Sequence, residues 1–333
     1  MLNRESQDRM PSLKKLADKL NQSLSPWLAQ YGIHVSLDVA SLKAQVADYV
    51  GAAILATAAG LLVVGFAHML GSLFGGRYWL GDLVTGIYTA QGDLAMIAPH
   101  GIIAFAACCF YPIRFINKYW TADPTVGVKD GDGFIHNDAR YGGIHNTDQS
   151  MMMPLFYRGE LVCWLSSTIH EGENGACEPG GMPAAAESKY DEGIKMSPFK
   201  VVENFQLKRD LVTFLQNSVR DPKLQLEDMK VKLHAVMRLR DRIIAILDQF
   251  GRDALMGTLR LHLEDTEAEM RRRIRELPDG TVRVLQFMDS SLRENCMQKI
   301  SLAITVKGDR MVLDFRGTAP QFLNRSVNTN IAS

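Results

Sequence analysis

Two stretches concentrate the residue types that do chemistry: Phe134-Ile-His-Asn-Asp-Ala-Arg-Tyr-Gly-Gly-Ile-His-Asn-Thr-Asp-Gln149 and Thr168-Ile-His-Glu-Gly-Glu-Asn-Gly-Ala-Cys-Glu-Pro-Gly-Gly-Met-Pro183. Together they hold three of the eight histidines. Met151 to Phe156 and Leu161 to Ile169 read as an antiparallel pair around Tyr157-Arg158-Gly159-Glu160, and a four-residue loop there sets His170 opposite Thr147, one step from Asp148. Opposed residues in such a ladder hold their Cβ atoms about 4.5–5.5 Å apart, so His170 comes within reach of His145 and Asp148. Two imidazoles and one carboxylate suit a divalent first-row ion that keeps open positions. That means Mn, Fe or Zn, rather than Ca or Mg with their all-oxygen shells. Such an ion polarises a carbonyl or stabilises an enolate oxygen.

The competing reading makes His145, Asp148 and His170 loop residues bonded to local backbone. His136, Asn137 and Asp138 read as outer partners that orient a ligand imidazole. Glu171 and Glu173 are candidates for a proton-transfer base or an outer ligand, against the alternative of solvated acids on a Gly-rich loop. Cys108 and Cys109 lie in an apolar run and read as buried thiols rather than nucleophiles. The Arg271-Arg272-Arg273 run beside Glu267 and Glu269 reads as a solvated helix face.

The elements that must position these residues give an α+β chain. Leu13, Leu16, Leu20 and Leu24, then Val39, Leu42, Val46 and Val50, recur at helical spacing, so residues 1–78 read as a helical N-terminal region. Within it, Val50 to Ala67 is apolar enough to test as a membrane span, but it lacks a flanking basic cluster, which favours a buried helix. Residues 79–222 read as a β-rich region carrying the metal site, with short strands over Val84 to Ala90 and Leu94 to Ala98 and a loop-rich stretch from Ile135 to Tyr190. Residues 223–333 open with a long helix from Leu226 to Phe250 closed by Gly251, and a second helix from about Asp253 that stops at Pro278-Asp279-Gly280. Antiparallel strands follow over Val282 to Phe287, Ile300 to Val306 and Met311 to Phe315.

Composition narrows the function classes. The 333 residues carry 37 basic and 37 acidic side chains, so net charge is zero and no basic patch argues for nucleic acid. The five cysteines form no C-x-x-C pair and read as reduced thiols of a cytoplasmic protein. No phosphate-binding loop or dinucleotide fingerprint occurs, so any ATP chemistry is expected on another chain.

Six blocks in order resemble the hydantoinase B / oxoprolinase family: Asn137-Asp-Ala-Arg-Tyr-Gly-Gly-Ile-His-Asn-Thr-Asp148; His170 with Pro179-Gly-Gly-Met-Pro183; Asp191-Glu-Gly193; Asn217-Ser-Val-Arg220; Leu277-Pro-Asp-Gly280; and Asp314-Phe-Arg-Gly-Thr318. The likeness spans Trp79 to Ser333. The wording of the two chemistry-bearing stretches resembles the alpha-subunit type of the acetone carboxylase branch more than the hydantoinase or oxoprolinase branches. The resemblance implies manganese on His145, Asp148 and His170. It also implies a cytoplasmic multisubunit enzyme in which a hydantoinase A-type beta subunit handles ATP and a small gamma subunit completes the assembly. The implied reaction converts acetone and bicarbonate to acetoacetate. The alternatives are an ATP-dependent hydantoinase or 5-oxoprolinase subunit, or a non-catalytic scaffold. Family members usually run to about twice this length or more, so the chain reads as an N-terminal piece of a longer subunit.

Overall fold

The computed structural model describes residues 83–98, 102–181, 183–290 and 295–320. The expected N-terminal helical region and its apolar run Val50 to Ala67 lie outside the described residues. Among the described residues, no helix is long and apolar enough to cross a membrane.

The architecture is α+β. In chain order come β1 (Val84–Thr89), β2 (Leu94–Ile97), the short helices α1 (Ile103–Ala107) and α2 (Phe110–Phe115) running into a π turn (Ile116–Trp120), β3 (Gly133–His136), β4 (Asp148–Tyr157) and β5 (Glu160–His170). Then follow β6 (Phe199–Glu203), β7 (Gln206–Leu207), α3 (Arg209–Asn217), α4 (Pro222–Phe250), α5 (Arg252–Arg275), β8 (Gly280–Ser290), β9 (Asn295–Lys307) and β10 (Arg310–Asp314). Strands β1 to β7 form one antiparallel sheet in the order β2-β1-β5-β4-β3-β6-β7, and β8 to β10 form a second in the order β10-β9-β8.

The β4–β5 hairpin is the spine of the large sheet. Its loop is two residues, Arg158 and Gly159, both at positive φ (52° and 85°), the backbone that a tight primed turn requires. The four-residue loop expected from sequence is therefore two residues shorter. The register also shifts at Leu155/Phe156, where one extra residue slips the ladder. As a result His170 pairs with Asp148 itself, not with Thr147.

Side chains alternate across the sheet. One face buries Tyr88, Phe134, Met152 and Trp164 against Cys109, Ile113 and Ile116 of the α1–α2 segment. The other face carries α4, tied down by Gln225 Nε2 donating to Gln149 Oε1 at 3.0 Å and by Tyr157 donating its hydroxyl to Asp248 at 2.9 Å. Helix α4 begins four residues before the expected Leu226, because Asp221 caps it by accepting from the Leu224 N–H at 3.0 Å and Pro222 fills the first turn. Gly251 ends it at φ 82°, as expected from its place in the sequence.

Candidate metal centre

The site is assembled at the end of the hairpin away from its turn. Asp148 opens β4 and His170 closes β5, so the ladder places them side by side on the α1–α2 face of the sheet. His145 arrives from the preceding loop, whose Asp148 N–H donates to the His145 carbonyl at 3.0 Å. His145 Nε2 lies 3.1 Å from Asp148 Oδ2, and His170 Nδ1 lies 3.0 Å from Asp148 Oδ1. One donor atom from each of the three falls within 4.8 Å of the other two. The two rings meet edge to face, with centroids 4.9 Å apart.

Burial divides the cluster into a floor and a rim. The Asp148 side chain is 3% exposed, while His145 and His170 are 33% and 28% exposed, so the imidazoles open on the outside and the carboxylate closes the inside. Burial, with the neighbouring His170 adding to it, holds the His145 imidazole down at about 4. It is therefore neutral near pH 7, which is the ligating form. Metal–donor bonds of about 2.1 Å at tetrahedral or octahedral angles put neighbouring donors roughly 3–3.5 Å apart. The contacts to the two Asp148 oxygens, 3.1 Å from His145 Nε2 to Oδ2 and 3.0 Å from His170 Nδ1 to Oδ1, fall in that range.

The loop carrying His145 is fixed from several sides. Asn137 donates to the Asn146 carbonyl at 2.5 Å and the Ile194 carbonyl at 2.8 Å, and its own side-chain oxygen accepts from the Met196 N–H at 2.7 Å. Asp138 accepts from the Arg140 N–H at 2.9 Å and receives its guanidinium, a local Asx-type closure. Gly143 lies so close to the backbone that a Cβ there would stand 2.2 Å from the Asn137 carbonyl oxygen. Asn137 and Asp138, expected to orient an imidazole directly, thus hold the loop rather than a ring. His136 sits on the same sheet face as Asp148, opposite Ser150, fully buried, with neither ring nitrogen hydrogen-bonded.

Glu171 and Glu173 are not solvated, nor do they belong to the three-donor cluster. The Glu171 carboxylate, on the opposite sheet face from His170, meets the ammonium of Lys232 of α4, and both side chains are buried. Burial drives the Glu171 carboxyl well above the ordinary range, with Lys232 opposing and Asp228 reinforcing the rise. Glu173 accepts from Arg220 at 3.0 Å and from the Gly175 N–H at 2.5 Å. Glu171 thus pairs with Lys232 and Glu173 with Arg220.

Three residues gave no individual signal in the sequence. Thr147 is fully buried, and its hydroxyl hydrogen-bonds His145 Nδ1. Lys232 sits on an apolar helix face among Met229, Leu233 and Val236, and Gln225 lies two turns further toward the N-terminus. A lysine and a glutamine on the inward stripe of α4 were the available clue.

Fold and site together define an α+β protein that presents a two-histidine, one-aspartate donor cluster at the end of an antiparallel hairpin. The chain belongs to the hydantoinase B/oxoprolinase family, whose model matches residues 79–333. It is 35% identical over 243 residues to the acetophenone carboxylase delta subunit of Aromatoleum aromaticum, covering 72% of this chain and 35% of that subunit. It is 28% identical over 211 residues to the acetone carboxylase alpha subunit of Xanthobacter autotrophicus, covering 63% of this chain and 27% of that subunit. The fold superposes on the nucleotide-free structure of acetone carboxylase with a TM-score of 0.77 at 22% identity, over 93% of this chain and 42% of that one. The chain spans about a third of the length of these two carboxylase subunits.

Proposed function

We propose that this chain is the metal-bearing part of an ATP-dependent carboxylase subunit that joins a small ketone to bicarbonate, with acetone giving acetoacetate as the leading case. One observation carries the reading: His145, Asp148 and His170 bring three donor atoms within 4.8 Å of one another at a partly open rim. Family membership and the two ketone carboxylase subunits among its relatives support it. Manganese is the proposed ion, and Fe2+ and Zn2+ are alternatives that the same donors accept. A divalent ion held there would supply Lewis acidity, offsetting negative charge that develops on a ketone oxygen.

The chain's own residues then have separable tasks. Asp148 provides the carboxylate donor from the buried side, and His145 and His170 provide imidazole donors whose exposed edges leave the outer side to substrate. Glu171 and Glu173 serve the surrounding loop through Lys232 and Arg220. ATP is assigned to a hydantoinase A-type beta subunit, with a small gamma subunit completing a cytoplasmic complex.

The test is reconstitution with those partner subunits. ATP consumption that requires bicarbonate together with acetone or acetophenone, and that is lost in His145→Ala, is the expected result. Ring opening of a hydantoin or 5-oxoproline without bicarbonate would replace this reading with lactam hydrolysis. A complex indifferent to His145→Ala and His170→Ala would make the chain a scaffold.

A further inference from the structure

A continuous line of contacts runs from helix α4, through the sheet end, to a ring of the donor cluster. Lys232 is fully buried on α4 and meets the Glu171 carboxylate, while Gln149 Oε1 lies 3.5 Å from the same ammonium. The Glu171 N–H donates to the Thr147 carbonyl at 2.7 Å. The Thr147 hydroxyl is hydrogen-bonded to His145 Nδ1, and the far nitrogen of that ring, Nε2, faces Asp148 Oδ2 at 3.1 Å. The loop backbone closes over the joint: a Cβ on Gly181 would stand 2.5 Å from Thr147 Cγ2 and 3.1 Å from the Glu171 carbonyl oxygen.

An imidazole that binds a cation through one nitrogen needs the other nitrogen held, because that bond fixes both tautomer and ring rotation. His145 is 33% exposed and comes from a loop, so its ring lacks the packing that would fix it unaided. Thr147 supplies the missing restraint. A buried lysine beside a carboxylate is an expensive way to bind a helix to a sheet, since apolar residues of similar volume stabilise as well or better. What the ion pair adds over apolar packing is direction: it fixes Glu171, and through that backbone it fixes Thr147.

We propose that Thr147 is a positioning residue that locks the His145 ring for cation binding, and that the Lys232–Glu171 pair anchors it to helix α4. This inference rests on the reading of His145, Asp148 and His170 as a cation site. Its chemistry concerns no further ligand; it assigns to Thr147, Glu171 and Lys232 the pre-organisation of that site.

The experiment uses Mn2+ alone as probe on the full chain, with free ion followed by electron paramagnetic resonance, and long-range 1H–15N spectra of the imidazoles in the metal-free protein. Thr147→Val keeps the shape and removes the hydroxyl. It is expected to weaken Mn2+ binding about 10–100-fold and to replace the single-tautomer signature of His145 with averaged tautomers, while Thr147→Ser restores both. The double variant Lys232→Met with Glu171→Gln, which avoids leaving a lone buried charge, is expected to weaken binding in the same direction. Wild-type affinity and an unchanged tautomer in Thr147→Val, in a chain whose Mn2+ binding is abolished by His145→Ala, would overturn the relay and leave the site standing. Absence of Mn2+ binding by the unaltered chain would bring down the site and the relay together.

Discussion

His136 is a buried imidazole with both ring nitrogens unpartnered, on the sheet face that carries Asp148. Burial pushes it down to about 3, with Asp138 partly opposing, so it stays neutral in the folded chain across the physiological range. The unfolded chain protonates it near the ordinary value of about 6.5. Folded and unfolded states are equally neutral above that value; below it the unfolded state gains a proton that the folded state refuses. Stability therefore falls as pH drops through about 6.5 and goes on falling until the folded value is reached. Between pH 7 and pH 5 this one group should remove about 2 kcal/mol. Urea unfolding of His136→Leu at the two pH values should show a pH dependence flatter than wild type by that amount. An identical slope would mean that the ring is protonated, or differently housed, in the native state. The thiols conform to the same burial rule: Cys108, read from its apolar run as a buried thiol, and Cys163 of β5 are both pushed up to about 12.

At the scale of elements, the hairpin and the loop before it decide whether three donors meet. Gly143 sits where a methyl group would collide with the backbone of Asn137, a partner that has no rotamer to escape into. Gly143→Ala should cost roughly 1–3 kcal/mol, lower the thermal midpoint, and weaken Mn2+ binding by displacing His145 two residues downstream. An unchanged melting curve would show that the loop has slack that the structure denies. Much of this region was legible in advance. Alternating and apolar runs marked β4, β5, β9 and β10, and the helical stripe with Gly251 marked α4. The convergence of His145, Asp148 and His170 followed from folding one strand back on the other. The register was wrong by one because a β-bulge at Leu155/Phe156 leaves no trace in a stretch buried on both faces. Strand β3 was hidden because Gly133–His136 is buried throughout and shows no alternation. Thr147 and Lys232 were missed because their roles arise from contacts across strands and layers, which periodicity along one strand does not contain.

For the whole molecule, the donor cluster closes the open end of the hairpin: His145 and Asp148 come from the entry to β4, and His170 from the end of β5. An ion bound to the folded chain and not to the unfolded one stabilises the fold by mass action, about 2.7 kcal/mol at a hundredfold excess over its dissociation constant. The small sheet β8–β10 is built differently. Val282, Val284 and Leu313 on one of its faces are more than 40% exposed, so it contributes little core of its own. The three donors all lie on the large sheet or on the loop that enters it. Elemental analysis of the purified protein, repeated on His145→Ala, tests the metal account most directly. The account predicts near-stoichiometric manganese, or iron or zinc in its place, in the wild type and its loss in the variant; metal retained at the wild-type level in His145→Ala, or none in either protein, would contradict it.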